Sequence, residues 1–139
     1  MKKRIVLISC VSQKLPYRAK AKDLYISSLF KFSLRYAKKL NPDGIYVLSA
    51  KYGLLNLDQE IDPYEKTLIN MSATEITEWA SNVLSQLRRI ASLENDEFIV
   101  LAGYKYRKYL LPHLKNTIVP LKGMRIGEQI HYLKGQLPG

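Results

Sequence analysis

The chain has 139 residues, 47% of them hydrophobic, which is enough for the core of one domain (residues 1–139) and too little for two. Lysine and arginine number 22 against 12 acidic residues, and the resulting formal charge of +10 favours nucleic acid or another phosphate-bearing partner. No apolar run reaches the roughly 20 residues of a membrane helix. The single cysteine, Cys10, excludes an intramolecular disulfide and favours a reducing, cytoplasmic location.

Four apolar runs predict the strands of a sheet. They are residues 4–11, 44–50, 97–103 and 117–121. The first three are rich in Ile, Val and Leu without polar alternation, which is typical of strands covered on both faces.

Helical patterns separate these runs. They cover residues 23–40, 72–90, 104–112 and 126–133. The second pattern opens with Ser72 and Glu75 in capping-box spacing and continues with apolar residues at steps of three and four. This alternation of strands and helices predicts a single three-layer α/β domain with a mostly parallel four-stranded sheet flanked by helices.

Ligands of open parallel sheets bind outside the carboxyl ends of the strands. Four segments occupy those places here, namely residues 10–14, 49–53, 102–106 and 122–127. Each carries at least one cation, and three contain glycine. We therefore expect the functional site at this edge of the sheet.

Cys10 closes the first predicted strand, where a thiol near lysines can act as a nucleophile. The alternative is a small buried core residue, and no histidine lies nearby in the sequence to serve as its base. Asp62 lies in the acidic connection after the second strand, either as a general base or as part of a solvated loop. His113 and His131 have no ligand-like spacing with Cys10, so neither a metal nor another cofactor is predicted.

After the third strand, tyrosines alternate with lysine and arginine over residues 104–109. Aromatic faces among cations are what single-stranded nucleic acids stack upon. One face of this segment is expected to be core, so only Tyr104 or Tyr106 should line a site. Farther along, Gly123 and Gly127 surround Arg125, whose guanidinium suits phosphate or carboxylate.

Five motifs occur along the chain in this order: "ISCVSQK", "AKDLYISSLFKFSLRYA", "YVLSAKYGLL", "DPYEKTL" and "PLKGMRIGEQIHYL". Together they resemble a family of small prokaryotic and phage proteins catalogued as a domain of unknown function. The resemblance implies a compact α/β domain. It maps the shared positions of the family onto Cys10, Lys14, Leu24, Tyr25, Ser49, Lys51, Gly53, Leu54, Pro63, Tyr64, Arg125 and Gly127.

The tripeptide Asp62 to Tyr64 is also similar to the Asp-Pro-Tyr of the uracil-DNA-glycosylase-like fold. In those glycosylases it lies near the end of the first strand, whereas here it follows the second. This similarity points to recognition of a base or nucleotide.

Together these observations predict an enzyme that acts on a nucleotide or on a base within nucleic acid, by cleaving or exchanging an N-glycosidic bond. The alternatives are a non-catalytic DNA- or RNA-binding module and a nucleotide sensor. The catalytic candidates are Cys10, Lys51 and Asp62. The candidates for binding the substrate or its phosphate are Lys14, Tyr25, Ser49, Tyr52, Gly53, Tyr64, Gly103, Tyr106, Arg125 and Gly127.

Overall fold

The computed structural model describes residues 2–9 and 13–137. Its strands are β1 (Arg4–Ser9), β2 (Ala19–Lys20), β3 (Gly44–Ser49), β4 (Gly53–Asn56), β5 (Glu60–Ile61), β6 (Glu97–Leu101) and β7 (Asn116–Ile118). Five of them form one sheet in the order β4-β3-β1-β6-β7, and β2 pairs separately with β5. Strands β3, β1, β6 and β7 are mutually parallel, whereas β4 runs antiparallel to β3.

The helices are α1 (Ala21–Leu24), α2 (Ser28–Lys39), α3 (Ala73–Arg88), α4 (Tyr104–Lys108) and α5 (Ile126–Gln136). Two short 3₁₀ helices cover Leu68–Asn70 and Leu111–His113. None of the helices in the described part of the chain is long and apolar enough to cross a membrane.

The core has two layers because successive side chains of a strand point to opposite faces. On one face, Leu7 of β1 packs in a cluster with Trp79 and Val83 of α3. On the other, Ile8 packs in a cluster with Phe30 of α2 and Leu133 of α5. Helices therefore cover both faces of the sheet, and the expected α/β architecture with a mostly parallel sheet is confirmed.

The predicted capping box is present at the start of α3. The Ser72 hydroxyl accepts a hydrogen bond from the backbone N–H of Glu75, and the Glu75 carboxylate accepts one from the backbone N–H of Ser72. These hydrogen bonds to Ser72 lower the pKa of Glu75 from its ordinary value.

The helix predicted over residues 23–40 is wrong in one respect, because it is interrupted between α1 and α2. Tyr25 is extended there and pairs with Lys14, while the backbone N–H of Leu15 donates to the carbonyl of Leu24. The chain then resumes as α2, whose first turn is capped by the Ser27 hydroxyl. Tertiary pairing with residues 13–15 thus overrides the local helical pattern.

The prediction of four strands missed β4, which returns antiparallel along β3 after a tight turn. Gly53 begins β4 with a φ of +77°, a conformation that side chains disfavour. The Gln86 side chain of α3 accepts from the backbone N–H of Leu54 at 2.8 Å and donates to its carbonyl at 3.3 Å. This amide therefore satisfies backbone groups on the outer side of the edge strand.

We predict that Gly53→Ala destabilises the protein by about 1–3 kcal/mol, measured by urea denaturation. The φ is strained for alanine, and the added Cβ would lie 2.5 Å from the Gln86 Oε1 atom. Gly135→Ala in α5 is the matched control, since its Cβ meets no atom within 4 Å and alanine favours a helix. Equal stability of the two variants would contradict this account of the turn.

Candidate functional site

The direction in which the chain leaves the sheet reverses between two neighbouring central strands. The chain leaving β1 reaches β3 on one side through α1 and α2, and the chain leaving β6 reaches β7 on the other side through α4. The carboxyl ends of β1 and β6 therefore flank a topological switch point, which is where doubly wound α/β sheets leave a crevice for ligands.

A cleft of about 340 Å³ occupies this point, and we call it the switch-point cleft. Ser9 at the end of β1 and Leu101 at the end of β6 both line it, and they are close together because Ile8 of β1 is in register with Leu101. Its apolar walls come from Leu29, Phe30, Leu101, Ala102, Leu121, Ile126 and Ile130. Its polar lining consists of Ser9, Gln13, Ser27, Ser28, Ser33 and Gln129, together with the backbone of Gly103.

Hydrogen bonds position two side chains of this polar lining. The Ser9 hydroxyl accepts from the backbone N–H of Gly103 at 3.2 Å, which joins the ends of β1 and β6. The Gln129 side-chain amide donates to the carbonyl of Met124 at 2.9 Å. Apolar walls with a few oriented polar groups are typical of sites for small molecules and cofactors.

Gln13 also borders a second depression, lined by Lys14, Pro16 and Tyr64 among others, which we call the Lys14 groove. Because one residue belongs to both walls, the switch-point cleft and the Lys14 groove adjoin. The Lys14 ammonium lies 4.5 Å from the centre of the Tyr64 ring and 5.8 Å from that of Tyr25. Cation–π attraction thus positions a positive charge beside the cleft.

Three of the predicted binding residues form one aromatic cluster next to Lys14. The hydroxyls of Tyr25 and Tyr64 are 2.6 Å apart, and the rings of Tyr52 and Tyr64 meet edge to face with centroids 5.6 Å apart. Tyr25 is fully buried, so its ring supports the cluster, whereas Tyr64 is only partly buried. The structure therefore brings Lys14, Tyr25, Tyr52 and Tyr64 together.

The catalytic candidates Lys51 and Asp62 lie at the outer side of this cluster. The Lys51 ammonium is exposed and 5.2 Å from the centre of the Tyr52 ring. The Tyr52 hydroxyl donates to the carbonyl of Asp62 at 3.3 Å. The Asp62 side chain is 64% exposed, and its carboxylate forms an ion pair with Arg18 at 3.2 Å.

Ser49 is fully buried and organises the turn that carries Lys51 and Tyr52. Its hydroxyl accepts from the backbone N–H groups of Lys51 at 3.3 Å and of Tyr52 at 3.0 Å. Its carbonyl accepts from the indole N–H of Trp79 at 2.8 Å. Lys51, Tyr52 and Gly53 also border a polar groove of about 470 Å³ along α3. This groove shares no lining residue with the switch-point cleft.

The remaining predicted residues are dispersed. Tyr106 is buried against Trp79 in the core, with ring centroids 5.5 Å apart. Arg125 and Gly127 are exposed at the start of α5 and border a shallow depression on the side of His131. Cys10 lies outside the described residues, so its role as a nucleophile stays a prediction.

Sequence reasoning missed most of the wall of the switch-point cleft, including Ser27, Leu29, Phe30 and Gln129. A partial signal existed, because strand ends were expected to carry the site and Ser27 precedes an amphipathic helix. Nothing in the local sequence indicated that the first turns of α2 and α5 face the same crevice.

In residues 2–9 and 13–137, no group of three or more His, Cys, Asp or Glu side chains is arranged to hold a metal ion.

The fold and the cleft define the chain as a doubly wound α/β protein with a switch-point crevice. The model of a family of unknown function, DUF6884, matches residues 5–135, and the chain belongs to that family. No curated protein and no solved structure matches the chain.

We predict that Ser49→Ala lowers the free energy of unfolding by about 1–3 kcal/mol, because two backbone N–H groups lose their shared acceptor. Chemical denaturation followed by circular dichroism measures the change. Ser81→Ala is the control, since Ser81 is exposed on α3 and its replacement should change stability by less than about 0.5 kcal/mol. If Ser49→Ala proved as stable as the control, the hydroxyl would not organise the turn.

Proposed function

We propose that this protein binds a nucleotide, or a base within nucleic acid, at the carboxyl edge of its sheet, and that it cleaves or exchanges the N-glycosidic bond. The observation that carries the proposal is the switch-point cleft itself, with the Lys14 groove beside it. A mostly uncharged pocket next to a fixed cation matches a ligand with a flat, weakly polar base and a charged phosphate.

The cleft suits the base. Its apolar side chains, such as Leu29 and Ile130, offer contact to the faces of an aromatic ring. Gln13 and Gln129 each carry a side-chain amide with both a donor and an acceptor, which complements the edges of nucleobases. The volume of about 340 Å³ lies within the range of roughly 300–1,000 Å³ found for small-molecule sites.

The surroundings suit the phosphate. Lys14 lines the groove next to Gln13, the residue that groove and cleft share, and its ammonium is held over the Tyr64 ring. An ammonium held in this way attracts a phosphate as a point charge. The net charge of +10 adds long-range attraction for an anionic ligand.

In the proposed hydrolysis, the oxygen of water forms a bond to C1′ of the sugar while the bond from C1′ to the base nitrogen breaks with its electron pair. The departing base takes up a proton, and water loses one. Exchange follows the same balance with an incoming base in place of water. Asp62 is proposed to accept the proton of water, and Lys51 to stabilise the negative charge that develops as the bond breaks. Neither side chain lines the cleft, so both roles require the sugar to lie on the side of the Tyr52 and Tyr64 rings.

A non-catalytic nucleic-acid-binding module is the second candidate, and one observation favours it. The described residues that line the switch-point cleft include no carboxylate, and the Asp62 carboxylate is occupied by Arg18. In such a module the same cleft and cations would hold a base and its backbone without turnover.

We predict that Gly103→Leu weakens the binding of nucleoside monophosphates at least tenfold, measured by isothermal titration calorimetry. Gly103 lines the cleft, and a Cβ added there meets no atom within 4 Å. A leucine at this position therefore narrows the cleft without a clash at its Cβ atom. Gly135→Leu introduces the same side chain into open space at the end of α5 and should leave affinity unchanged. If the two variants bound the monophosphates with equal affinity, the ligand would not bind in the cleft.

The enzyme and the module predict different behaviour of Lys51→Ala and Asp62→Asn. For an enzyme, these variants should retain binding of nucleotides and oligonucleotides but lose release of free base, measured by liquid chromatography. For a module, the wild-type protein releases no base, and its affinity falls gradually with each cation removed and steeply with salt. Release of base by the wild-type protein and by both variants at the same rate would contradict the proposed catalytic roles.

A further inference from the structure

The surface that follows the switch-point cleft along the chain carries an exposed tyrosine among cations. Tyr104 is 63% exposed, and it directly follows Gly103, which lines the cleft. We propose that Tyr104, with Lys105, Arg107 and Lys108, is a stacking platform for a second base, so that the ligand is single-stranded nucleic acid. This inference rests on the proposed function of the cleft, and the four residues are called the Tyr104 platform.

The two tyrosines at the start of α4 have opposite environments. Tyr106 is buried edge to face against Trp79 and belongs to the core. Tyr104 is one of six large hydrophobic residues that are exposed in the described part of the chain. Since α4 directs one tyrosine inward and the other outward, Tyr104 is available for a ligand and Tyr106 supports the helix beneath it.

Cations surround the Tyr104 ring. The Arg107 guanidinium and the Lys108 ammonium each lie 5.9 Å from its centroid. Cations at this distance attract the π-electrons of the ring and restrict its position. Because Tyr104 is 63% exposed, its ring offers area on which a base can stack, with positive charge nearby for the adjoining phosphate.

The charge of the platform is not neutralised by ion pairs within the described ranges. The ion pairs among those residues join Arg4 to Glu97, Arg18 to Asp62, and Lys20 and Lys22 to Asp58. None of them includes a cation of the Tyr104 platform. A local cluster of positive charge that is not ion-paired among the described residues is the electrostatic complement of a phosphate backbone.

The platform begins where the lining of the cleft ends, because Gly103 lines the cleft and Tyr104 is the next residue and is exposed. A strand with one base in the cleft passes Gly103 in this proposal and places a neighbouring base on Tyr104. In a duplex the faces of internal bases are covered by stacking, so an aromatic platform favours a single strand.

The test compares the affinities of a nucleoside monophosphate and a fluorescent hexanucleotide, single-stranded and duplex, by calorimetry and fluorescence anisotropy. For the wild-type protein we expect the single-stranded hexanucleotide to bind more tightly than both the monophosphate and the duplex. Tyr104→Ala should reduce the gain from monophosphate to hexanucleotide by roughly 5- to 100-fold, because the stacking of one base is removed.

Three matched variants isolate stacking from charge. Tyr104→Phe keeps the ring and should retain the gain, whereas Tyr17→Ala removes a tyrosine that is 61% exposed elsewhere and should also retain it. Replacing Arg107 and Lys108 by glutamine should lower the magnitude of the salt slope by about 0.7 for each phosphate that the protein no longer neutralises.

Stacking on the Tyr104 platform would be contradicted by any of three results. These are a Tyr104→Ala variant that keeps the full gain in affinity from monophosphate to hexanucleotide, a Tyr17→Ala variant that loses as much of it, or a duplex that binds as tightly as the single strand. The proposed function survives those results if Gly103→Leu still weakens monophosphate binding. A wild-type protein that binds neither the monophosphate nor the hexanucleotide would overturn both proposals.

Discussion

The burial of β1 between two parallel neighbours dictates how the other elements of this fold are arranged. Its residues Ile5 to Ile8 are almost completely inaccessible, so helices must cover the sheet on both faces. Right-handed crossovers cover both faces only when they run in both directions along the sheet, and here the chain leaves β1 in one direction and β6 in the other. The crevice between Ser9 and Leu101 follows directly from that reversal. The position of the candidate site is thus a consequence of how the core is closed.

The second structural determinant of the candidate site is the turn between β3 and β4. This turn follows a buried strand at the carboxyl ends of the parallel strands, where the candidate site lies. Ser49 is held in the core by its hydrogen bonds, while Lys51 and Tyr52, two and three residues later, reach the surface. Gly53 then returns the chain to the sheet edge, where Gln86 satisfies the outer backbone groups. Ser49 and Gly53, two of the residues predicted from the sequence to bind the ligand, therefore position Lys51 and Tyr52.

Two groups of cations and aromatic rings lie next to residues of the cleft. Lys14, next to Gln13, lies over Tyr64, and Arg107 and Lys108 lie beside Tyr104, which follows Gly103. Positive charge and aromatic rings are thus paired locally near the cleft, and the proposed nucleic-acid ligand relies on these pairs as well as on the net charge.

Local patterns in the sequence were sufficient to predict the alternation of strands and helices, the capped start of α3 and the edge of the sheet at which polar residues gather. These features depend on periodicity and on the general rule for parallel strands. The same patterns could not predict β4, the break before α2, or the choice between Tyr104 and Tyr106, because each depends on contacts between residues distant in the chain. Packing in three dimensions was needed to show that α2 and α5 face one crevice, that Ser49 is buried beneath the turn, and that Tyr104 points outward. Such features arise from side-chain burial between elements, and a short window of sequence does not contain them.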